Sequence, residues 1–139
     1  MELTWSDHLS VGNAIIDSDH KNLIVVANRV KHAIRARDRD ALSKSFELFD
    51  AYIVIHFRNE ERIAEAINYP FAQHKLEQRQ LMYEMRYMIG ELDNIGHWPD
   101  NLLERYSLFL SGWMADHIVK TDMQMKPYLQ AYPYNFSPA

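Results

Sequence analysis

The positions of the helix-breaking residues constrain the fold of this chain more than any other feature of its sequence. Glycine and proline occur only four and five times in 139 residues. They lie at Gly12, Pro70, Gly90, Gly96, Pro99, Gly112, Pro127, Pro133 and Pro138. Most windows between them are long and place apolar residues three or four positions apart, which is typical of amphipathic helices. No window alternates as a strand does, so the sequence predicts an all-α protein.

Four long helices account for these windows. Their expected bounds are residues 17–37, 41–67, 70 to 90 or slightly beyond, and 99–127. Pro127 is expected to stop the fourth helix, and Asp40 to cap the second by accepting hydrogen bonds from its free N–H groups. Because short turns join the helices, consecutive helices must pack as antiparallel neighbours, which predicts an up-down-up-down four-helix bundle.

Residues 1–139 are expected to form a single domain. Residues 1–16 would be an N-terminal arm, 17–127 the bundle and 128–139 an irregular aromatic tail. Hydrophobic residues make up 47% of the chain, enough to fill the core of a domain of this size. The third helix is expected to carry the inward-facing residues Leu76, Leu81, Met85 and Met88.

Charge and composition exclude several classes of function. The 15 basic and 19 acidic residues are interspersed and give a net charge of −4, without the basic stripe that nucleic-acid binding needs. The absence of cysteine excludes disulfides, zinc–thiolate sites and iron–sulfur clusters. We find no signal sequence, and no apolar run approaches the ~20 residues of a membrane span. We therefore expect a cytoplasmic protein without membrane association, and a monomer, because no hydrophobic outer stripe is evident.

Histidines and carboxylates recur at positions that could face the interior. The chain has seven histidines. Each predicted helix carries one histidine that could face inward, and in chain order these are His20, His56, His74 and His117. Glu60 follows His56, and Gln78 follows His74, by four residues, so each pair shares one helix face. Four imidazoles with the carboxylates of Glu60 and Asp122, and no sulfur, suit non-haem iron or another divalent first-row metal.

The spacing between His117 and Asp122 poses a geometric question. Five residues on an ideal α-helix correspond to a rotation of ~140° between the two side chains. A π-type turn, a feature common at functional sites, would bring them onto one face. Alternatively, Asp122 approaches the metal from the other side of the cluster, and this is the arrangement that we favour.

These residues belong to a series of motifs that resembles the hemerythrin family, in particular its bacterial single-domain members. In chain order the motifs are Trp5, Val11-Gly12, Ile16-Asp17-x-x-His20-x-x-Leu23, His56-Phe57-x-x-Glu60-Glu61, Tyr69-Pro70, His74-Lys75-x-Glu77 and Trp113-x-x-x-His117-Ile118-x-x-x-Asp122. Any one of these motifs is weak. All of them in order at matching separations, from Trp5 to about Asp122, make a specific signal.

The resemblance implies two iron ions and assigns a role to each candidate ligand. His20 and His56 would bind one iron, and His74 and His117 the other. Glu60 and Asp122 would bridge the two ions, together with an oxo or hydroxo group. Dioxygen would bind end-on at the iron with fewer histidines, and small anions could take its place.

Gln78 departs from the family pattern, which has a second histidine at this point of the third helix. A neutral amide oxygen is a poor ligand compared with imidazole. We therefore expect an open or water-filled position beside Gln78, on the iron that His74 and His117 would bind. Gln78 itself would be a weak ligand, a supporting residue or a plain structural residue, and neighbouring Glu77 is an alternative ligand.

The resemblance implies a dioxygen carrier, store or sensor rather than an enzyme that turns over a substrate. Trp113, Met114 and Ile118 would form part of an apolar wall around the oxygen, although any bundle would bury this stripe. A second hypothesis is a di-iron oxidase, peroxidase or redox sensor that uses the position beside Gln78. A third is a scaffold with one metal or none, because a single buried histidine is often just a hydrogen-bonded polar residue.

Overall fold

Residues 3–138 are described by the computed structural model of the chain. Four long helices make up most of it: α1 (Ala14–Arg35), α2 (Arg39–Ala66), α3 (Ala72–Asn94) and α4 (Asp100–Ala115). Short turns connect them, and between residues 3 and 138 the chain contains no strand. The predicted all-α four-helix bundle is confirmed.

The fourth predicted helix is not one regular element. After α4 the chain forms a π-helical turn (Asp116–Thr121), a 3-10 turn (Asp122–Met125) and a last α-helical turn, α5 (Lys126–Leu129). The prediction that Pro127 stops the helix is wrong, because Pro127 lies in the first turn of α5. A proline is tolerated there, since its missing N–H would have no partner within the helix.

Side-chain caps place two helix starts differently from the prediction. α1 begins before Asp17, because the Asn13 side chain accepts hydrogen bonds from the first N–H groups of the helix. α2 is capped by Asp38, whose carboxylate accepts from the N–H of Ala41, so the assignment of this role to Asp40 is wrong. Both caps satisfy N–H groups that have no partner within the helix itself.

Two apolar clusters fill the bundle, and a polar layer lies between them. The larger cluster takes in Leu23 of α1 and Ile53 of α2, among many others. The smaller cluster includes Ile16 of α1 and Ile63 of α2. The buried side chains between these residues on α1 and α2 are polar or charged: Asp17, His20, His56 and Glu60. The bundle therefore holds its candidate ligands at one level along its axis.

The inward face of α3 differs from the prediction at one position. Met85 and Met88 are buried, but Leu76 is 57% exposed, so its expected inward placement is wrong. The buried residues at this end of α3 are His74 and Gln78. Leu76 is two residues from each of them, which places it on the opposite side of the helix.

The carboxylate of Asp17 at the start of α1 binds both the segment just before the helix and the C-terminal tail. Asp17 is buried, and it accepts hydrogen bonds from the Ser10 hydroxyl at 2.6 Å, the Val11 N–H at 3.0 Å and the Tyr134 hydroxyl at 2.8 Å. The residues just before α1 and the C-terminal tail therefore meet at the end of the bundle that holds the smaller cluster, whereas Leu3 and Trp5, earlier in the N-terminal arm, pack against the larger cluster.

Apolar side chains also lie on the outer face of α2. Leu48 and Tyr52 are each 38% exposed and Ile55 is 52% exposed, at a three- and four-residue spacing that forms one stripe. The argument that no outer stripe exists is wrong, and the monomer stays a prediction. Within residues 3–138, none of the helices combines the length and the apolar character that crossing a bilayer requires.

Candidate metal centre

Six buried side chains converge in the polar layer. They come from α1, α2, α3 and the two turns that follow α4. They are His20, His56, Glu60, His74, His117 and Asp122, of which His74 is the most exposed at 3%. Five of them, all except His74, offer ligand atoms that lie within 4.8 Å of one another. His74 joins the group from α3 by direct contact with both carboxylates.

Each of the two carboxylates contacts imidazoles on both of its sides. Glu60 Oε2 lies 2.9 Å from His74 Nε2, whereas Glu60 Oε1 lies 3.1 Å from His117 Nε2 and contacts His56 Nε2. Asp122 Oδ1 lies 2.7 Å from His74 Nε2, whereas Asp122 Oδ2 lies 2.9 Å from His117 Nε2. One oxygen of each carboxylate thus faces His74, and the other faces His117 and His56.

His117 does not lie beside His74, as the expected ligand pairs required. Its Nε2 atom is 3.0 Å from His56 Nε2, on the side of the carboxylates where His20 Nε2 lies 2.6 Å from Asp122 Oδ2. Aromatic packing directs the His117 ring: Trp113 stacks on it at 5.4 Å between centroids and an angle of 15°. The contacts therefore divide the imidazoles three to one rather than two to two.

A π-helical turn brings His117 and Asp122 together. It spans Asp116–Thr121, so it contains His117 and ends directly before Asp122, and its i→i+5 hydrogen bonds widen the turn by one residue. Residues five apart then share a face of the helix. The arrangement that we favoured from the sequence, with Asp122 approaching from the opposite side, is wrong, and the alternative is the one observed.

The electrostatics of the centre favour a cation. Burial acts to lower the pKa values of His74 and His117, but Asp122 and Glu60 outweigh it and raise both to about 9. Burial likewise acts to raise the pKa of Asp122, but the surrounding histidines hold it well below its usual range. The imidazoles of His56 and His117 contact Glu60 Oε1 from two sides. Positive charge is thus stabilised at this point of the interior, and the donor set fits a metal.

One supporting residue was missed by the sequence analysis. Asp19 Oδ2 lies 3.0 Å from His56 Nδ1 and also accepts a hydrogen bond from Asn59 Nδ2 at 3.0 Å. A carboxylate on the second nitrogen of a ligand histidine fixes the ring's tautomer and orientation and makes it a stronger ligand. The available signal was the position of Asp19, a carboxylate directly before the candidate ligand His20 on the helix that packs against α2.

The other predicted residues take the following places. Gln78 is buried, and its Nε2 donates to Glu60 Oε2 at 3.4 Å. Met114 and Ile118 are buried in the larger apolar cluster, and the proposed oxygen wall of these residues and Trp113 stays a prediction. Glu77 is exposed, with contacts to other residues rather than to the six ligands. The remaining three histidines are exposed: His8, His32 and His97.

The fold and the site together define a cation-binding four-helix bundle. Comparison with protein families identifies it further: the model of the hemerythrin HHE cation-binding domain matches residues 11–129. The chain therefore belongs to the hemerythrin HHE family, and the resemblance found in its sequence is confirmed.

Similar proteins agree with this assignment. The chain is 27% identical to a bacteriohemerythrin of Stenotrophomonas maltophilia, over 97% of this chain and 86% of that protein. It is 29% identical to a bacteriohemerythrin of Pseudomonas aeruginosa, over 86% of this chain and 76% of that protein. It is 28% identical to hemerythrin subunit alpha of Lingula reevii, over 88% of this chain and 91% of that protein. A crystal structure of a hemerythrin variant superposes with a TM-score of 0.77 at 22% identity, covering 91% and 96% of the two chains.

Proposed function

We propose that the chain binds dioxygen at a pair of non-haem iron ions held by His20, His56, Glu60, His74, His117 and Asp122. The placement of the carboxylates carries the proposal, because Glu60 and Asp122 each face His74 with one oxygen and His117 with the other. Two such carboxylates suit a pair of neighbouring cations that they bridge. Membership of a cation-binding family, and relatives named hemerythrin, support the same function.

Iron would supply the electrons for dioxygen binding, and the protein supplies ligands, orientation and shelter. Asp19 holds the His56 ring through Nδ1, so that Nε2 points into the centre. Trp113 holds the His117 ring by stacking on it. The apolar clusters on either side of the polar layer keep bulk water away from it, and we expect Trp113, Met114 and Ile118 to face the oxygen.

Gln78 would leave one coordination position unfilled. Its amide nitrogen donates to Glu60, so the side chain is engaged with a bridging carboxylate rather than presenting a basic nitrogen. We expect a vacant or water-filled position on the ion that His74 binds. Oxygen binding is favoured over an oxidase or peroxidase because the relatives are hemerythrins. We therefore propose that the protein is a cytoplasmic, monomeric oxygen carrier, store or sensor.

Metal analysis and oxygen titration test this function. Protein produced with iron is expected to contain two iron ions per chain, and the reduced form to gain a visible absorption band in air that disappears under vacuum. Glu60→Gln keeps the size of a bridging side chain but removes its charge, so iron content should fall below two. Glu61→Gln is the matched control, because Glu61 is the next residue and is exposed. An iron-free native protein, or equal iron in both variants, would contradict the proposal.

A further inference from the structure

A cleft between α2 and α3 opens above Gln78. Its volume is about 370 Å³, and the charged and polar side chains that line it are Arg58 and Glu61 of α2 with Lys75, Gln78, Arg79 and Arg86 of α3. Four of these six side chains are cationic, and one is a carboxylate. We call this feature the cationic cleft. It is a local positive region on a chain whose net charge is −4.

Two of the four cations have no carboxylate partner among residues 3–138. Lys75 pairs with Glu61 at 2.8 Å, and Arg86 pairs with Asp50 at 3.1 Å. Arg58 and Arg79, in contrast, form no ion pair or hydrogen bond with any residue between 3 and 138. Two guanidinium groups on facing helices therefore keep their donors free at the same cleft, and guanidinium is a strong donor to anions.

The floor of the cleft is one side chain away from the metal centre. Gln78 is only 5% exposed, and its Nε2 lies 3.4 Å from Glu60 Oε2, which is itself 2.9 Å from His74 Nε2. The amide group of glutamine has two N–H donors, and only one of them is used by Glu60. The second is available to a ligand that enters from the cleft.

We propose that the cationic cleft is a binding site and access route for a small inorganic monovalent anion, which it delivers to the position beside Gln78. Charges of one sign in a cleft with low-dielectric walls concentrate the field and raise the local concentration of the oppositely charged ligand. Arg58 and Arg79 attract the anion, and the free Gln78 N–H donates to it. Neutral dioxygen is not attracted in this way. The delivery step rests on the proposed metal centre, whereas anion binding in the cleft does not.

Charge reversal of the two unpaired arginines tests the route. The probe is azide, mixed in a stopped-flow instrument with the oxidised, iron-loaded protein. We expect the Arg58→Glu/Arg79→Glu variant to bind azide about tenfold more slowly, the lower end of the electrostatic effect of such clefts. Salt should slow binding to the native protein and accelerate binding to the variant. The rate of dioxygen binding to the reduced protein should stay the same in both.

The matched control is Arg29→Glu/Arg35→Glu. These arginines are exposed, lie on α1 beyond His20 and away from the cleft, and change the net charge by the same amount. Equal azide rates in the two double variants would overturn the proposal, because the effect would then come from net charge alone. An azide rate in the cleft variant equal to that of the native protein would overturn it as well.

Iron content is measured first, so that failure of the metal centre is recognised separately. If the native protein binds no iron, the proposed function fails, and the cleft is then tested by bromide soaks of native crystals with anomalous scattering. A bromide within hydrogen-bonding distance of Arg58, Arg79 or Gln78 would support the anion site. A cleft without bromide, beside bromide peaks elsewhere on the same molecule, would overturn it.

Discussion

The contact between Asp19 and His56 leads to the sharpest prediction about the centre. Loss of a carboxylate that orients a ligand histidine typically weakens metal binding about 10–100-fold, or about 1.4–2.7 kcal/mol. The Asp19 side chain is 19% exposed, and its Oδ2 is shared with Asn59. We therefore expect about tenfold weaker binding for Asp19→Asn, which keeps an acceptor oxygen, and a loss near about 100-fold for Asp19→Ala, which removes it.

The measurement is a competition between the protein and a chelator for Co(II) or for Fe(II) under anaerobic conditions. Asp116→Ala is the matched control. Asp116, like Asp19, directly precedes a candidate ligand histidine, but its side chain is 64% exposed and pairs with Lys120. The Co(II) absorption spectrum reports the geometry of the ligands independently of affinity, and it should change only in the Asp19 variants. If Asp19→Ala and Asp116→Ala bind metal equally well, the orienting role of Asp19 is refuted.

Three further predictions concern other parts of the molecule. Gln78→His should fill the vacant position, so azide affinity should fall by about tenfold, equivalent to 1.4 kcal/mol, and autoxidation should slow; unchanged values would contradict the vacancy. Deletion of Val119, an exposed residue in the π turn, should retain metal, because His117 and Asp122 would then be four residues apart on an α-helix, a rotation of ~40°. Metal analysis checks this. Asp17→Ala removes three hydrogen bonds to a buried carboxylate and should lower the free energy of unfolding in urea by about 3 kcal/mol.

The elements of the fold that depend on local sequence were predictable. The long stretches between glycine and proline residues predicted the four helices. The spacing of histidines and carboxylates predicted the candidate ligands. Leu76 was placed wrongly because apolar spacing alone ignores buried polar residues, and on α3 it is His74 and Gln78 that define the inward face. Pro127 was given too much weight as a terminator, since a proline can also occupy the first turn of a new helical segment.

The features that depend on contacts between helices could not be read from one segment of sequence. The π turn costs regular backbone hydrogen bonding, and it becomes favourable only when His117 and Asp122 share a buried cluster. The side of that cluster on which His117 lies depends on the packing of Trp113. The role of Asp19 depends on which residues of α1 face His56 of α2. Spacing within one helix offered the π turn only as one of two alternatives, and it indicated neither the side on which His117 lies nor the role of Asp19.

The polar layer between the two apolar clusters has a consequence for how the molecule comes apart. Hydrophobic burial stabilises each cluster in proportion to its area, so the end of the bundle with the smaller cluster, where the C-terminal tail attaches, is the weaker cooperative unit. At the boundary between the units, four imidazoles and two carboxylates replace apolar contacts. Cations bound at this boundary would strengthen the connection between the two units, and removal of metal is then expected to release the end with the smaller cluster first.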